Sequence, residues 1–425
     1  MKKVLLITYF FPPGNFAGSY RMKAWAEHLH KFGYYPIVVT RHWADNETDF
    51  TAISNEKETT EKIHENYTVY RLPYYGTFRD RLIKKYGDKA RFIGKIFSFF
   101  QLIAQNYFLR SIPFVNLYDF ARNYLIKNPD IKIVLTSGRL FHQFKFCYLL
   151  KKEFPHIQWV ADYRDPWNTN TNNKKSLKRR FLALIESRFE KKWTNSCAFF
   201  TSCSEGFVQN IKQIVDKEGY VITNGFEKLI DTTNNIPNNK LTIAYIGNLY
   251  PTQKIEVFLS GYKKFLRQNP KANIILDFWG ISVNIGQKAR IAKNLKGFKS
   301  FYNIKPWVKK ETMMVQVRNA DCFLICGIPE RKGTHSAKFF DYLSLKKPII
   351  LSPSDKDVLE TTISETNTGF ILDNTEAVFD CINFCYKEWL TSGKITYQGN
   401  ENKIKEYTYE NQVGRLGELL SKLNK

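Results

Sequence analysis

The sequence predicts an α/β protein built from two doubly wound domains, and three observations carry that expectation. The chain has 425 residues, 43% of them hydrophobic, which is more than one ordinary core accommodates. Short continuous apolar runs, as in strands buried on both faces of a parallel sheet, alternate with helical patterns. The same opening of strand, glycine turn and helix occurs twice, from residue 4 and again from residue 241, on either side of an Asn-rich stretch.

The first opening is the apolar run 4–9, the Pro12-Pro13-Gly14 turn, Gly18 and Ser19, and a helical pattern over 20–32 that Gly33 closes. Residues 36–40 form the next strand, making a βαβ unit with a right-handed crossover. Further strands are expected at 67–71, 131–136, 158–161, 199–201 and 219–222. The polar run from Asp231 to Asn239 has nothing to bury and reads as a linker. Beyond it, 241–246 is a strand, Gly247-Asn248 a turn, and Ile255, Phe258, Leu259, Tyr262, Phe265 and Leu266 share one helical face. Strands follow at 274–278, 322–326, 348–351 and 369–372, and 402–423 reads as a last helix. The resulting division is 1–226 for the first domain, 227–240 for the linker, 241–400 for the second domain, and 401–425 for a helix packing back on the first. Sites are expected at the carboxyl ends of both sheets, in a cleft where the domains face each other.

The 24% charged, 16% aromatic composition is that of a folded chain, and a net charge of +24 implies an anionic partner: nucleic acid, acidic lipid or a phosphate-bearing substrate. Seven cysteines without a two-residue spacing point to buried thiols, hence a cytoplasmic protein, rather than to zinc or disulfides. Met1-Lys2-Lys3 ahead of an apolar run resembles a leader, but the run ends at Pro12-Pro13 without a cleavage pattern, so a first strand is the reading. No uncharged apolar stretch reaches the length of a membrane span.

A dinucleotide site of the dehydrogenase kind needs G-x-G-x-x-G and an acid ending the second strand; here that strand ends Thr40-Arg41-His42. No Walker sequence occurs either. What does occur, in order, is Tyr9-Phe10-Phe11-Pro12-Pro13 with Gly14, Gly18 and Arg21; Val221-Ile222-Thr223-Asn224-Gly225-Phe226; Tyr245-Ile246-Gly247-Asn248-Leu249; and Ser336-Ala337-Lys338-Phe339-Phe340-Asp341-Tyr342-Leu343 with Lys347-Pro348. This succession resembles family 4 glycosyltransferases of the GT-B fold, and Asp162-Tyr163-Arg164-Asp165-Pro166-Trp167 is similar to a stretch in a bacterial branch of them.

The resemblance implies transfer of a sugar from a nucleoside diphosphate donor to a glycan or polyprenyl-linked acceptor, with retained configuration and no catalytic metal or other cofactor, in surface polysaccharide assembly. A departing diphosphate then has to be neutralised by helix-start N–H groups and cations. The resemblance places Gly14, Asn15, Gly247, Asn248, Lys254, Ser336 and Lys338 on the donor phosphates. It places Trp307, Val308 and Asp341 at the nucleoside; the N–H groups of Gly333, Thr334 and His335 are expected to hold the donor sugar, and Gly18 with Arg21, a cation opposing its helix dipole, is expected at the acceptor. Asp162, Arg164, Asp165 and His142 are the catalytic candidates, with Asp162 expected to accept from the acceptor hydroxyl and Asp165 to orient Arg164. One departure stands out: where the family's Glu-x7-Glu motif has its first acid this chain has Gly333, with Glu330 nearby. Each residue also has a plain structural reading: an internal ion pair for Arg164, a surface lysine for Lys254 or Lys338, a tight turn for Gly14 and Gly18, a core aromatic for Trp307.

Arg71, Arg79, Arg81, Lys84, Lys85, Lys89, Arg91 and Lys95 crowd one stretch, followed by Phe97, Phe99, Phe100, Leu102, Ile103, Tyr107 and Phe108; Lys174, Lys175, Lys178, Arg179 and Arg180 form a second cluster. A basic segment joined to an aromatic amphipathic one suits an anionic membrane surface, here over residues 79–110; solvated faces around a core helix are the alternative. Two other functions compete: a sugar-nucleotide epimerase of the same fold, which lacks a clear acid–base pair, and a nucleic-acid-binding protein, for which no docking module is present.

Overall fold

Val4, Leu5, Leu6 and Ile7 are all fully buried, on both faces of their strand, which is why the sequence there runs apolar without alternation. That strand, β1 (Lys2–Ile7), sits in an eight-stranded sheet of order β3-β4-β2-β1-β5-β6-β7-β8. The computed structural model describes residues 1–87, 91–169, 177–230 and 239–423. The other strands of this sheet are β2 (Tyr34–Arg41), β3 (Thr60–Ile63), β4 (Thr68–Leu72), β5 (Ile133–Ser137), β6 (Gln158–Arg164), β7 (Phe199–Ser202) and β8 (Gly219–Val221). All pair in parallel except β3, which runs antiparallel to β4.

The helices of this half are α1 (Ala17–His28), α2 (Phe78–Tyr86), α3 (Arg91–Tyr107), α4 (Asn116–Lys127), α5 (His142–Glu153), α6 (Leu177–Thr194) and α7 (Glu205–Lys212). A 3-10 turn over Leu29–Phe32 extends α1, and Gly33, at φ 86°, ends it by donating back to His30 and Leu29 carbonyls, as a left-handed glycine does.

The second sheet is wholly parallel, in the order β11-β10-β9-β12-β13-β14. Its strands are β9 (Leu241–Ile246), β10 (Ile274–Trp279), β11 (Tyr302–Lys305), β12 (Cys322–Ile325), β13 (Ile349–Leu351) and β14 (Gly369–Ile371). Its helices are α8 (Glu256–Gln268), α9 (Ile285–Asn294), α10 (Lys310–Val317), α11 (Ala337–Ser344), α12 (Val358–Thr366), α13 (Thr375–Ser392) and α14 (Glu401–Lys405). The α8 face that the sequence marks out is buried against this sheet and packs on α13.

The chain divides into Met1–Thr223 with Tyr409–Lys425, and Asn224–Thr408. The last helical segment breaks in two: α14 ends at Lys405, and α15 (Tyr409–Lys422) belongs to the first unit, where Val413, Leu416 and Leu420 share a core with Met22 and Trp25 of α1. Residues 224–230 belong to the second unit because Phe226, Leu229 and Ile230 pack on its core. Of the expected linker, 231–238 lies outside the described residues. All seven cysteines are buried and unbridged. Among the described residues no helix is long and apolar enough to cross a membrane.

Candidate functional site

In each sheet the chain starts at one strand, adds neighbours on one side and then jumps to the other, so the strand order reverses between β1 and β5 and between β9 and β12. Ligands of open α/β sheets bind outside the carboxyl ends at such reversals.

At the β9–β12 reversal, Gly247 follows β9 with φ 81° and donates to the Trp279 carbonyl at 2.7 Å. Gly280, φ 92°, ends the neighbouring strand; a side chain on it would sit 3.1 Å from the Gly247 Cα, so both positions need glycine. Gln253 ties the loop after β9 to the end of β12: its Oε1 accepts from Tyr250 N at 2.9 Å and its Nε2 donates to the Cys326 carbonyl at 2.8 Å. Arg290, clamped on Glu256 through its Nε and Nη2, donates to the Gln253 carbonyl at 2.8 Å and holds the turn from the α9 side.

Lys338 lies in the first turn of α11, where the helix dipole disfavours a cation. Its Nζ donates to Tyr245 Oη at 2.7 Å and to the Asn248 carbonyl at 3.2 Å, and stands 4.0 Å from the centre of the Tyr245 ring. No carboxylate pairs with it among the described residues. Burial pulls its pKa down to about 8. Ser336 precedes the helix as N-cap without a side-chain capping bond, so the N-terminal N–H groups of α11 have no side-chain partner from that residue.

The neighbouring cations are already compensated. Lys254 is exposed, just ahead of α8 rather than within it, and its Nζ lies 3.6 Å from Glu330 Oε1. Lys310 Nζ lies 2.8 Å from Asp341 Oδ1; burial raises the Asp341 pKa against that lysine's pull. Gly333 (φ 77°) donates its N–H to Asp357, so that amide is engaged internally, contrary to the expectation that it holds the donor sugar. Thr334 is partly buried in the same turn; His335, also partly buried, has Nε2 3.4 Å from Thr362 Oγ1. Trp307 is 55% exposed in the loop after β11, which removes the core-aromatic reading, while Val308 packs on the apolar core.

At the β1–β5 reversal the structure corrects several expectations. Asp162 is fully buried and accepts four hydrogen bonds: from Arg21 Nε (3.0 Å) and Nη2 (2.8 Å), Ser137 Oγ (2.9 Å) and Thr201 Oγ1 (2.9 Å). Its oxygens are spent inside the fold, so it does not accept from an acceptor hydroxyl. Arg21, expected at the acceptor, is equally buried; its Nη1 donates to the Thr223 carbonyl at 2.8 Å. His142 is likewise a core residue, set between Trp167 and Trp193 with Nε2 3.2 Å from Asn106 Oδ1. Burial, with Lys145 adding repulsion, drops its pKa to about 3, which keeps it neutral and away from acid–base work.

Arg164 takes the remaining place on this rim. It ends β6 with φ 54°, its Nε and Nη2 donate to Asp165 Oδ2 at 3.2 and 3.1 Å, and its Nη1 occupies the space beside Gly18. A Cβ on Gly18 would lie 2.5 Å from that nitrogen, and one on Gly14 would lie 2.9 Å from Trp43 Cγ. The packed Trp43 ring accounts for Gly14, whereas at Gly18 the atom in the way is the movable end of Arg164. Asn15 Oδ1 accepts from Tyr20 Oη at 3.0 Å. Among the described residues no three His, Cys, Asp or Glu side chains gather as metal ligands.

No family model and no curated relative matches this sequence. Solved structures do. A sucrose-phosphate synthase from Thermosynechococcus elongatus aligns over 100% of this chain and 99% of its own at TM-score 0.64 and 13% identity. A glycosyltransferase from Rickettsia africae aligns over 100% and 98% at TM-score 0.58 and 14% identity, and Anabaena HepE, solved in complex with UDP, over 99% and 100% at TM-score 0.56 and 10% identity. The chain has the GT-B fold.

On this GT-B frame the sequence reading missed the residues that shape the β9–β12 end: Tyr245, Gln253, Gly280, Arg290 and Lys310. Tyr245 lies inside one of the recognisable motifs but looks, in sequence, like a core strand residue. Gln253 carries no pattern, because its link across the sheet is to the Cys326 carbonyl, far along the chain.

Proposed function

We propose that this chain is a cytoplasmic glycosyltransferase moving a sugar from a nucleoside diphosphate sugar to a glycan or lipid-linked acceptor, with retained configuration and without a catalytic metal, in bacterial surface polysaccharide assembly. The observation that carries the reading is Lys338: a half-buried ammonium at a helix start, bonded among the described residues to neutral oxygens alone, at the carboxyl-end strand reversal of a GT-B sheet. An anion there meets a cation and helix N–H groups together. A diphosphate leaving group develops its charge in such surroundings, and in a retaining reaction its own oxygen takes the acceptor proton, so the neutral, buried His142 and the saturated Asp162 are no obstacle. Trp307, exposed after β11, offers a face for the base, and Asp341, paired with Lys310 of α10, follows Lys338 by three residues on α11. Structural similarity to a sucrose-phosphate synthase and a glycosyltransferase, and to HepE with its bound UDP, favours the same class.

The test is thermal unfolding of the full chain with UDP, GDP, ADP or CMP, each with Mg²⁺ and with EDTA. A ligand at a hundred times its Kd stabilises by about 2.7 kcal/mol, so one nucleoside diphosphate raising the Tm in EDTA supports the reading. No shift with any of them, or a shift with nucleic acid alone, overturns it.

A further inference from the structure

Helices usually turn apolar side chains inward, and the second half of α3 does the reverse. Gln105 and Asn106 are buried: their carbonyls each accept from Lys145 Nζ at 3.0 Å, and Asn106 Oδ1 faces His142. Phe97, Phe100 and Tyr107, which share a helical stripe, are 48%, 63% and 58% exposed, and Phe108 just beyond is 68% exposed. Phe78 of α2, also half exposed, stands edge-on to Phe97 with ring centres 5.0 Å apart, so the two helices present one continuous aromatic surface.

Among the described residues of these two helices the exposed charge has one sign; Asp88, an acid, lies outside them. Arg81 and Lys85 are exposed on α2, and Arg79 partly so. The acid among them, Asp80, is turned inward, accepting from Tyr74 Oη at 2.9 Å and Thr77 N at 2.8 Å. The sequence of α3 contains no acid at all. Lys89 lies outside the described residues, as do Lys174 and Lys175 of the second cluster.

We propose that this face of α2 and α3 docks on an anionic lipid surface, with the aromatic rings entering the headgroup–acyl boundary and the α2 cations meeting the headgroups. A second copy of the chain is a poor occupant, because a two-fold contact would set these like charges against each other. The proposal is independent of the transferase reading and is tested by a different measurement.

The full chain is sedimented with vesicles of phosphatidylcholine, alone or with one third phosphatidylglycerol. It should pellet with the anionic vesicles, at least tenfold more than with neutral ones, and less as salt rises. Phe97→Ser/Phe100→Ser and Arg81→Glu/Lys85→Glu should each lower that binding about tenfold while circular dichroism, Tm and any nucleotide shift stay as in the parent. Absence of binding to anionic vesicles, equal binding to both kinds, or binding unchanged in both variants overturns the proposal. So does concentration-dependent self-association that the Phe97→Ser/Phe100→Ser variant abolishes.

Discussion

Arg21 and Asp162 form a two-pronged ion pair, at 2.8 and 3.0 Å, between the N-terminal half of α1 and β6, with side chains 1% and 0% exposed. Burial pulls the arginine's pKa down, but the Asp162 charge and hydrogen bonds, helped by Cys203 and Tyr409, together hold Arg21 above its ordinary value. The pair ties the helix that follows the glycine turn to the strand that carries Arg164, and so sets where Arg164 stands. Removing one member of a buried pair leaves an unmatched charge, which costs about 3–5 kcal/mol. Asp162→Ala should therefore lower the unfolding free energy by that amount in urea, followed by tryptophan fluorescence, to which Trp25, 5.1 Å from the Arg21 guanidinium, contributes. Diphosphate affinity should hold, since Lys338 is on the other unit. A stability loss below about 1 kcal/mol, the range of exposed pairs, contradicts the structural role.

Lys338→Ala should weaken binding of whichever nucleoside diphosphate stabilises the chain. A hydrogen bond to a charged group contributes about 1.5–3 kcal/mol, or roughly tenfold to hundredfold in Kd. Because the lysine's own pKa is near 8, affinity should also fall as pH rises from about 7 to 9 in the parent and stay flat in the variant. The sign for stability is opposite: the unfolded lysine keeps its proton to a higher pH, so ligand-free stability rises between about pH 8 and the ordinary lysine value of 10.5. Calorimetric titration at three pH values reads the first effect, and unchanged affinity in Lys338→Ala removes this residue from the site.

Gly280→Ala places a Cβ 3.1 Å from the Gly247 Cα on a residue at φ 92°. Left-handed backbone costs a non-glycine residue about 1–2 kcal/mol, and relief requires the Gly247 turn to move. The expected outcome is a Tm drop together with weaker diphosphate binding. Gly297→Ala is the control: it has a similar φ of 88° with nothing within 4 Å, so it should lower the Tm alone.

The parallel cores were readable because a strand buried on both faces has to be apolar throughout, as 4–7, 243–246 and 322–325 are. The edge strand Thr60–Ile63 was not, since all four residues are exposed and leave no periodicity. The break between α14 and α15 was hidden because the pattern stays helical across it. At the site, Lys338 was legible from its place at a helix start, a local property. Arg21 and His142 misled because burial is decided by residues far along the chain: Asp162 for one, Asn106 and Trp193 for the other. Polar side chains at a predicted rim look alike in sequence whether they face solvent or complete the interior.

Glu190 supplies a pH test of that interior. It is fully buried on α6, with Oε2 accepting from Asn168 Nδ2 at 2.8 Å and Oε1 lacking a hydrogen-bond partner among the described residues. Burial raises its pKa to about 7, against the pull of Asn168 and the nearby Tyr163 hydroxyl, with Glu186 one turn away pushing it further up. An acid whose folded pKa exceeds its unfolded value of 4.5 gives up its proton first in the unfolded chain. Stability is then lost as pH rises from about 4.5 towards 7. His142 acts the other way: the unfolded imidazole takes up a proton below its ordinary 6.5 while the buried ring, near 3, stays neutral, so its contribution falls as pH drops. Glu190→Gln keeps an oxygen for Asn168 and removes the titration. Its Tm should exceed the parent's at about pH 8 and approach it at about pH 5, and the difference between the two profiles isolates Glu190 from His142, which both proteins share. If the difference does not grow with pH, Glu190 is ionised in the fold across this range and its second oxygen has found a donor.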